Sequence, residues 1–504
     1  MSIDARTPEI LPTAHVAWML PAAPVSAADR AESLRRTLAL YPAEILARVE
    51  TAGLRGRSGQ GRPVADKWRL CAVQPDGPRY VVLNATDADP LMPAASVLLR
   101  ADPIGVLEGL RIAARAVGAT TGFVFVDRDD TDLQVFLTRC IQEMGGELPL
   151  AIAPGEARFV CREDTALLAS MAGRPTMSSL TPPMPAERGF DGRPTVVHHA
   201  ETYAQLAALF RREPAPSDPG TKLFRVDGPV LRPGMFELPL GLPLRTVVDE
   251  LCGGMLPGKT LQFVQVGGPN GPVLTPDELD IALDYAAFEA CGLRLGSGSV
   301  AVFAQDACIV DFAKNRLTFL EEASCGRCVM CREGSWQVRE ILGDMTVGKS
   351  RQDDRETLEE LCAGMREGSL CSVGQTAPDV VVTAMARFGD AFEQHMKRKK
   401  CATLVCNRYA TFHILSDKCT GCTDCLRECP VQAISGEDGY IHVIDQDLCN
   451  QCGICETICK PGANAVARAG TVKPQTPPEP VPVGTFKAKP VGLGGLGGLR
   501  RPTA

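Results

Sequence analysis

Eight cysteines between Cys419 and Cys459 constrain the fold of this chain more than any other feature of its sequence. They form two runs, CTGCTDCLREC and CNQCGICETIC, and the second run begins twenty residues after the last cysteine of the first. In each run three cysteines lie at positions i, i+3 and i+6, and a fourth follows four residues later. A cubane iron–sulfur cluster takes one thiolate per iron, so three thiolates from one short loop need a fourth from elsewhere in the chain.

This double spacing is that of bacterial two-cluster ferredoxins, in which the fourth cysteine of each run binds the cluster of the other run. Zinc sites and disulfides are the alternatives, but eight cysteines with this spacing fit neither well. The predicted ligands are Cys419, Cys422, Cys425 and Cys459 for one 4Fe–4S cluster, and Cys449, Cys452, Cys455 and Cys429 for the other.

A second cysteine motif, CGRCVMC, lies at Cys325, Cys328 and Cys331. It again calls for a distant fourth ligand, and Cys371 and Cys362 are the two candidates. Helical patterns over 335–345 and 354–367 predict that this site lies at the mouth of a helical bundle. Zinc is the alternative to a third 4Fe–4S cluster.

The whole chain has 504 residues, enough for roughly three domains. A net charge of −7 argues against a general nucleic-acid binder. No apolar run approaches the length of a membrane span, and acidic residues and prolines make the apolar stretch 15–25 unlike a signal peptide. Eleven of the 21 cysteines lie in the three runs that contain C-x-x-C spacing, which indicates metal sites in a reducing compartment. We therefore expect a cytoplasmic protein.

The remaining pattern predicts an α/β domain that carries a phosphate-binding loop. Helix-like spacing over residues 27–52 is followed by GLRGRSGQGRPVADKW, Gly53 to Trp68, whose glycines allow close backbone approach. A plain basic loop is the alternative. Strands at Tyr80–Leu83 and Gly122–Val126 alternate with helices at 103–117 and 133–144, which predicts a largely parallel sheet. Ligands bind beyond the carboxyl ends of such strands, where the loops 53–68 and 84–89 would lie.

Short β-like runs and one helix between 221 and 274 predict a small α+β insert. Residues 277–320, with a strand at Ser299–Phe303, return to an α/β pattern. The tail after Gly470 is rich in proline, glycine and lysine, so we expect it to be disordered or peripheral.

Taken in order, these motifs resemble the flavin-bearing, NADH-oxidising subunit of respiratory complex I. Closer still are the diaphorase subunits of NAD(P)-linked hydrogenases and formate dehydrogenases, which add a two-cluster ferredoxin domain. The resemblance covers roughly residues 45–470 and is densest at GLRGRSGQGRPVADKW, CREDTALLASMAGRP, SCGRCVMCREG and CATLVCNRYATFHILSDKC. It favours Cys371 over Cys362 as the fourth cluster ligand.

The resemblance implies a definite domain order. The expected parts are an N-terminal helical segment (1–50), a Rossmann-like α/β FMN domain (51–220), a ubiquitin-like β-grasp insert (221–275), the end of the α/β domain (276–320), a helical-bundle 4Fe–4S domain (321–400), an α+β two-cluster ferredoxin domain (401–469) and a disordered tail (470–504).

The resemblance also implies the cofactor site and shows where this chain departs from the family. The residues carried over to the FMN and nucleotide site are Gly56, Arg57, Gly59, Gly61, Lys67, Asn84, Asp87, Glu163, Asp164, His198, His199 and Thr202. The family's stacking phenylalanine is replaced by Arg62, and its asparagine pair by His198 and His199. The phosphate end of the site is thus mostly retained, whereas the nicotinamide end is eroded.

A structural zinc site is the last expectation from the resemblance. Its ligands would be Cys308, His395, Cys401 and Cys406, which together give one imidazole and three thiolates. Buried free cysteines beside an exposed histidine are the alternative.

Two functions are compatible with this sequence. In the first, NAD(P)H reduces FMN, no protein residue is catalytic, and electrons pass through three 4Fe–4S clusters to other subunits of a formate dehydrogenase-, hydrogenase- or complex I-like assembly. In the second, nucleotide binding has been lost, and the clusters only connect a catalytic partner to an acceptor.

Overall fold

The structure, a computed structural model, describes residues 11, 17–20, 25–212, 220–459, 463–470 and 472–487. The chain divides into two compact units. The first contains Met1–Leu342 and Asp353–Gly389, and the second contains Gly343–Gln352 and Asp390–Ala504. None of the described helices is long and apolar enough to cross a membrane.

The first unit begins with helices around a four-stranded sheet. Its strands are β1 Tyr80–Asn84, β2 Thr121–Asp127, β3 Leu150–Gly155 and β4 Thr195–His199. Its helices are α1 Ala27–Ala39, α2 Pro42–Thr51, α3 Val64–Ala72, α4 Ala94–Ala101, α5 Pro103–Val117, α6 Thr131–Met144, α7 Asp164–Met171, α8 Pro185–Arg188 and α9 Ala200–Arg211. The strand order is β3-β2-β1-β4 and every pair is parallel, which confirms the predicted sheet.

The sheet places polar side chains side by side at the carboxyl ends of its strands. Val81, Val82 and Leu83 of β1 are fully buried, as expected for a strand covered by helices on both faces. Asn84, the last residue of β1, is in register with His199, the last residue of β4. The edge of the sheet at which ligands bind in α/β folds therefore carries an amide beside an imidazole.

Capping residues fix the start of helix α5, and one glycine allows it to pack closely against α9. The Asp102 side chain accepts a hydrogen bond from the Gly105 backbone N–H (2.8 Å), and Pro103 occupies the first turn. A Cβ at Gly109 would lie 2.0 Å from the backbone oxygen of Tyr203, so only glycine lets α5 approach α9 this closely. The Tyr203 hydroxyl in turn donates to the Val82 carbonyl oxygen (3.1 Å), which joins α9 to the sheet.

The insert contains a second, five-stranded sheet, and its extent corrects one prediction. Its strands are β5 Thr221–Asp227, β6 Gly234–Pro239, β7 Leu261–Val266, β8 Val273–Leu274 and β9 Ser299–Ala304, with the short helix α10 Tyr285–Ala290 and a π-helical turn at Thr246–Leu251. The order is β6-β5-β9-β7-β8. Strand β9, which we assigned to the end of the α/β domain, lies between β5 and β7 because its buried Val300 and Val302 pack into the core of the insert.

Strand β6 also holds a segment that lies near the start of the chain. The buried Glu237 carboxylate accepts hydrogen bonds from the backbone N–H groups of Trp18, Met19 and Leu20, at 2.6, 2.8 and 2.9 Å. Hydrogen bonds to a charged acceptor are the stronger kind, so this contact ties residues 18–20 to the insert.

Helices dominate the rest of the first unit and the start of the second. They are α11 Ile309–Glu322, α12 Val329–Thr346, α13 Asp354–Gly368, α14 Ser372–Thr376, α15 Asp379–Arg387 and α16 Gly389–Met396. The CGRCVMC motif lies at the start of α12, and Cys371 is the N-cap of α14. The predicted helices at 335–345 and 354–367 are both present.

The second unit continues with short strands and two short helices. Its elements are β10 Thr411–Ile414, α17 Asp424–Arg427, β11 Ile434–Ser435, β12 Tyr440–Ile441, β13 Val443–Ile444, α18 Ile454–Ile458, β14 Val466–Ala469 and β15 Val481–Pro482. The antiparallel pairs are β10–β14, β11–β13 and β12–β15.

The tail was expected to be disordered or peripheral, and its described part packs at the periphery of this unit. Strand β15 pairs with β12, and Val481 and Phe486 pack against the apolar core of this unit, so residues 472–487 are not disordered. The sequence did not predict this contact, because a strand of two residues is too short to show an alternating hydrophobic pattern. Residues 471 and 488–504 of the predicted tail lie outside the described residues.

Candidate functional site

The first unit contains a cleft of about 230 Å³ at the carboxyl ends of β1 and β4. It brings together nine of the twelve residues predicted to bind cofactor. They are Gly56, Gly59, Gly61, Lys67, Asn84, Glu163, Asp164, His198 and His199. The loops 53–68 and 84–89 were expected at this edge, and the first of them forms one wall.

The glycine loop needs its glycines for two different reasons. Gly59 and Gly61 have φ angles of +153° and +62°, and side chains rarely adopt such angles. At Gly61 a Cβ would also lie 2.2 Å from the Tyr285 ring. The loop therefore presents backbone to the cleft, as a cradle for a phosphate requires.

Arg57 was predicted to contact the cofactor; it does not line this cleft but lines a smaller adjoining cavity, together with Asn84, Asp87 and His199. Its side chain is fully buried, and its Nε donates to the Thr221 carbonyl oxygen (3.0 Å). Its backbone N–H donates to Thr202 Oγ1 (3.0 Å). These two hydrogen bonds attach the glycine loop to α9 and to β5.

Asp87 is the third predicted residue outside the cleft lining. Its carboxylate accepts hydrogen bonds from the backbone N–H groups of Ala95 (2.8 Å) and Ser96, in the first turn of α4. Burial raises the pKa of Asp87, and these hydrogen bonds oppose the rise. This aspartate caps a helix.

Lys67 reaches the cleft with its charge already partly paired. Its Nζ lies 2.7 Å from Asp164 Oδ2 and 2.9 Å from the Val197 carbonyl oxygen. The neighbouring Glu163 accepts from the backbone N–H groups of Thr165 and Ala166, and burial raises its pKa. Glu163 caps α7, so Lys67 and Asp164 are the charged pair available to a ligand.

The two histidines are neutral hydrogen-bonding groups. Trp68 Nε1 donates to His198 Nε2 (3.0 Å), and the Glu201 backbone N–H donates to His199 Nδ1 (3.2 Å). Burial lowers the pKa of His198 well below its usual value and that of His199 to about 3, and the charges of Lys67 and Lys222 add to these shifts. Because one nitrogen of each ring accepts, the other carries the hydrogen. His198, which is one of the residues that line the cleft, is left with an Nδ1–H donor.

Three of the lining residues that were not among the predicted ligands, Arg162, Asn270 and Thr376, contact one another. Asn270, from the turn after β7, hydrogen-bonds to Thr376 of α14, and the guanidinium of Arg162 lies 3.5 Å from the Asn270 side-chain oxygen. Neither Asn270 nor Thr376 belongs to a recognisable sequence motif. They are neighbours only because the insert packs against the helices that follow it. Among the lining residues of the described chain there is no phenylalanine, tyrosine or tryptophan.

The cleft ends at Cys371, which belongs to a cysteine group. Burial raises the pKa of Cys331 to about 11, and the nearby thiols of Cys328, Cys371 and Cys325 add to the rise. Cys362 lies elsewhere, buried in α13 beside Arg366, Asp379 and Glu359. The structure therefore groups Cys371, rather than Cys362, with the CGRCVMC motif.

Two smaller cavities in the second unit each collect four thiols. The Cys419 cavity is lined by Cys419, Cys422, Cys425 and Cys459, and the Cys449 cavity by Cys429, Cys449, Cys452 and Cys455. Most of the remaining lining is apolar, including Ile414 in the first and Ile444 in the second. Four thiols around a small apolar cavity are the donor set that a 4Fe–4S cluster takes. The grouping is the one that the spacing predicts.

A further group in the second unit contains His395, Cys401 and Cys406, all buried, whose ligand atoms lie within 4.8 Å of one another. His395 Nδ1 is 2.7 Å from the Ala391 carbonyl oxygen, and its Nε2 is 3.5 Å from Cys406 Sγ. An Nδ1–H donated to a carbonyl leaves Nε2 as the metal-binding atom, which is usual for histidine ligands. Cys308 is buried at the start of α11, in the first unit.

Comparison with known families finds a match for four stretches of the chain. Residues 49–208 match the Nuo51 FMN-binding domain, and residues 311–395 match the NADH-ubiquinone oxidoreductase-F iron-sulfur binding region. Residues 223–274 match the SLBB domain, and residues 411–434 match a 4Fe-4S binding domain.

Individual relatives match over most of the chain. The F subunit of the NADH-quinone oxidoreductase of Streptomyces coelicolor is 32% identical over 390 residues, which cover 73% of this chain and 87% of the relative. The chain belongs to the family of NADH-quinone oxidoreductase F subunits. Another relative is the NADP-reducing hydrogenase subunit HndC of Solidesulfovibrio fructosivorans, 36% identical over 431 residues that cover 82% of this chain and 88% of HndC.

A solved structure of an NAD⁺-reducing [NiFe]-hydrogenase in the H₂-reduced state matches with a TM-score of 0.69 and 31% identity. The match covers 78% of this chain and 69% of that one. Like the other members of its family, this chain is an iron–sulfur flavoprotein subunit that transfers electrons through FMN and iron–sulfur clusters. The resemblance inferred from the motifs is confirmed.

Proposed function

We propose that this chain itself exchanges electrons between NAD(P)H and three 4Fe–4S clusters, through FMN held in the cleft. One observation carries the proposal. The glycine loop and Lys67 line the same cleft as Cys371, so a flavin held there would lie beside a ligand of the first cluster. Relatives named as NADH- and NADP-linked oxidoreductase subunits support the reaction.

The residues of the cleft fit FMN. The glycine loop offers backbone to the phosphate, with Lys67 as the nearby cation, held in place by Asp164 and the Val197 carbonyl oxygen. Asn84, His198 and His199 supply neutral polar groups at the edge of the sheet, where a flavin ring needs hydrogen bonds rather than charges. When bound, FMN supplies the conversion between two-electron and one-electron transfer.

The cysteines then define the electron path. We assign one cluster to Cys325, Cys328, Cys331 and Cys371, and one to each cavity of the second unit, with the twelve ligands predicted from the sequence. The domains would be a Rossmann-like FMN domain, a β-grasp insert extended to β9, a helical cluster domain and a two-cluster ferredoxin domain. The strand order and the SLBB match support the first two.

We further propose a cytoplasmic location and a partner subunit of the hydrogenase, formate dehydrogenase or complex I type. The solved relative is a hydrogenase, and HndC is named as a subunit of one, which supports the hydrogenase type first. Arg62 and Arg162 at the cleft favour a nucleotide with an additional phosphate, and HndC is named as NADP-reducing.

A second candidate function is electron transfer without nucleotide oxidation. The observation that favours it is the absence of any Phe, Tyr or Trp among the described residues that line the cleft. Stacking of a base on an aromatic ring is worth about 1–3 kcal/mol, so a cleft without one binds a dinucleotide more weakly.

Anaerobic purification followed by a nucleotide titration separates the two functions. We expect a flavin absorption spectrum that NADPH or NADH bleaches, together with reduction of the clusters. Lys67→Met is expected to lose bound FMN, whereas Arg69→Met, on the same helix but exposed and paired with Glu50, is expected to retain it. Flavin-free protein with intact cluster spectra would exclude the first function, and bleaching by either nucleotide would exclude the second.

We also propose that His395, Cys401 and Cys406 hold a structural zinc ion, with Cys308 as the predicted fourth ligand. Metal analysis of the purified chain is expected to give about one zinc per chain. Cys406→Ser should lose it, because a hydroxyl is a poor zinc ligand. Cys252→Ser, a buried cysteine of the insert, should not. Zinc at background level in the unaltered chain would rule the site out.

A further inference from the structure

The two cavities of the second unit are lined by matching positions of an internal repeat. Cys419, Cys422, Cys425 and Cys429 each have a counterpart 30 residues later, at Cys449, Cys452, Cys455 and Cys459. The same offset relates Ile414 of the Cys419 cavity to Ile444 of the Cys449 cavity. The two sites are therefore built alike, and a difference at one matched pair stands out.

That pair is Phe412 and His442, which are also 30 residues apart. Phe412 lines the Cys449 cavity, and His442 occupies the equivalent place in the Cys419 cavity. Both side chains are almost completely buried, with exposures of 0% and 1%. One cavity thus has an apolar ring where the other has a ring with two polar nitrogens.

His442 is aimed at a cysteine ligand. Its Nδ1 lies 3.9 Å from Cys419 Sγ, and its Nε2 is buried without a hydrogen-bond partner among the described residues. A sulfur acceptor tolerates a longer contact than oxygen, and Nδ1 is the only nitrogen of this ring that has a neighbour to bind. The hydrogen of the neutral ring therefore belongs on Nδ1, where it points to the thiolate.

The backbone makes room for this ring. Gly436 has a φ angle of +149°, and a Cβ there would lie 2.6 Å from His442 Cδ2. Any larger residue at 436 would displace the imidazole. The ring position is thus fixed by the fold of the second unit.

We propose that His442 is a positioning residue that donates its Nδ1–H to Cys419 Sγ and raises the reduction potential of the cluster in the Cys419 cavity above that of the other. Reduction adds one negative charge, which is spread over the cluster and its sulfur ligands. A hydrogen bond to sulfur stabilises this reduced form more than the oxidised form, and such bonds are a known means of setting cluster potentials.

The consequence is an ordered pair of clusters. Since Phe412 offers no donor, the Cys449 cavity lacks the matching stabilisation. An electron that enters the pair therefore resides mainly on the cluster of the Cys419 cavity. This inference rests on the proposed assignment of the two clusters to the two cavities.

A redox titration of the full chain, followed by electron paramagnetic resonance, tests the proposal. His442→Phe places in the Cys419 cavity the residue that the Cys449 cavity already accepts. One cluster potential is expected to fall by the equivalent of roughly tenfold in the ratio of oxidised to reduced cluster, about 59 mV for one electron, while the others stay unchanged. His413→Gln is the control, since His413 lines neither cavity and pairs with Thr411 Oγ1 at 2.9 Å.

A second measurement needs no variant. In the unaltered chain labelled with ¹⁵N-histidine, the reduced cluster should show a weak ¹⁵N coupling in pulsed resonance spectra, which His442→Phe removes and His413→Gln keeps. Fewer than about eight irons per chain would refute the assignment of two clusters to the second unit, and the proposal with it. About eight irons or more with no histidine coupling, or with unchanged potentials in His442→Phe, would overturn the proposal alone.

Discussion

Replacing Cys371 by alanine is expected to remove the first cluster and to interrupt electron flow at the flavin. The iron content should fall by about four atoms per chain, because a cubane cluster needs its fourth thiolate. FMN should remain bound and reducible by nucleotide, since the glycine loop and Lys67 are untouched. Reduction of the other two clusters by NAD(P)H should then fall to background.

Cys362→Ala provides the matched control for this experiment. Cys362 is more completely buried than Cys371, and it is the rival candidate that sequence spacing leaves open. Its removal should cost some packing free energy but no iron. Iron lost from Cys362→Ala and kept by Cys371→Ala would reverse the ligand assignment.

The second large effect is an acid-induced loss of stability caused by His198 and His199. Burial lowers the pKa of both imidazoles, that of His199 to about 3, so the folded chain keeps them neutral. In the unfolded chain they take up protons below about pH 6.5. The unfolded state then binds more protons, and the free energy of unfolding falls as the pH drops below 6.5, by about 1.4 kcal/mol per pH unit for each histidine.

Urea unfolding between pH 7 and pH 4.5, followed by tryptophan fluorescence, measures this effect. Trp68 is a suitable probe because it is buried and bound to His198. The double variant His198→Asn/His199→Asn, which places the family's amides at both positions, should lose the steep part of the pH dependence. Parallel pH profiles for the two proteins would show that the histidines do not titrate on unfolding.

The cysteine sites could be predicted from the sequence because their chemistry fixes their spacing. The C-x-x-C-x-x-C spacing places three thiolates within one short loop, so Cys419, Cys422 and Cys425 can be recognised as candidate cluster ligands without any knowledge of the fold. The strands of the first sheet were also predictable, since continuous apolar runs such as Tyr80–Leu83 are typical of buried parallel strands.

Residue spacing does not encode which way a side chain faces or which sheet a strand joins. Arg57 belongs to a phosphate-loop pattern, yet whether an arginine faces a ligand or the interior depends on Thr202 and Thr221, about 145 and 164 residues away. Strand β9 would show the same alternation of apolar residues in either sheet. Its hydrophobic pattern therefore could not assign it to the insert rather than to the α/β domain. Asn270 and Thr376 meet only through tertiary packing, and neither carries a signal.

The buried position of Arg57 has a consequence for synthesis on the ribosome. Arg57 donates hydrogen bonds to Thr202 and Thr221, and its carbonyl oxygen accepts one from the Lys222 side chain (2.8 Å). These three partners are translated long after the glycine loop itself. The glycine loop therefore cannot take its final shape until the first strand of the insert has emerged. A nascent chain shorter than this point is therefore expected to form the first sheet before the glycine loop reaches its final shape.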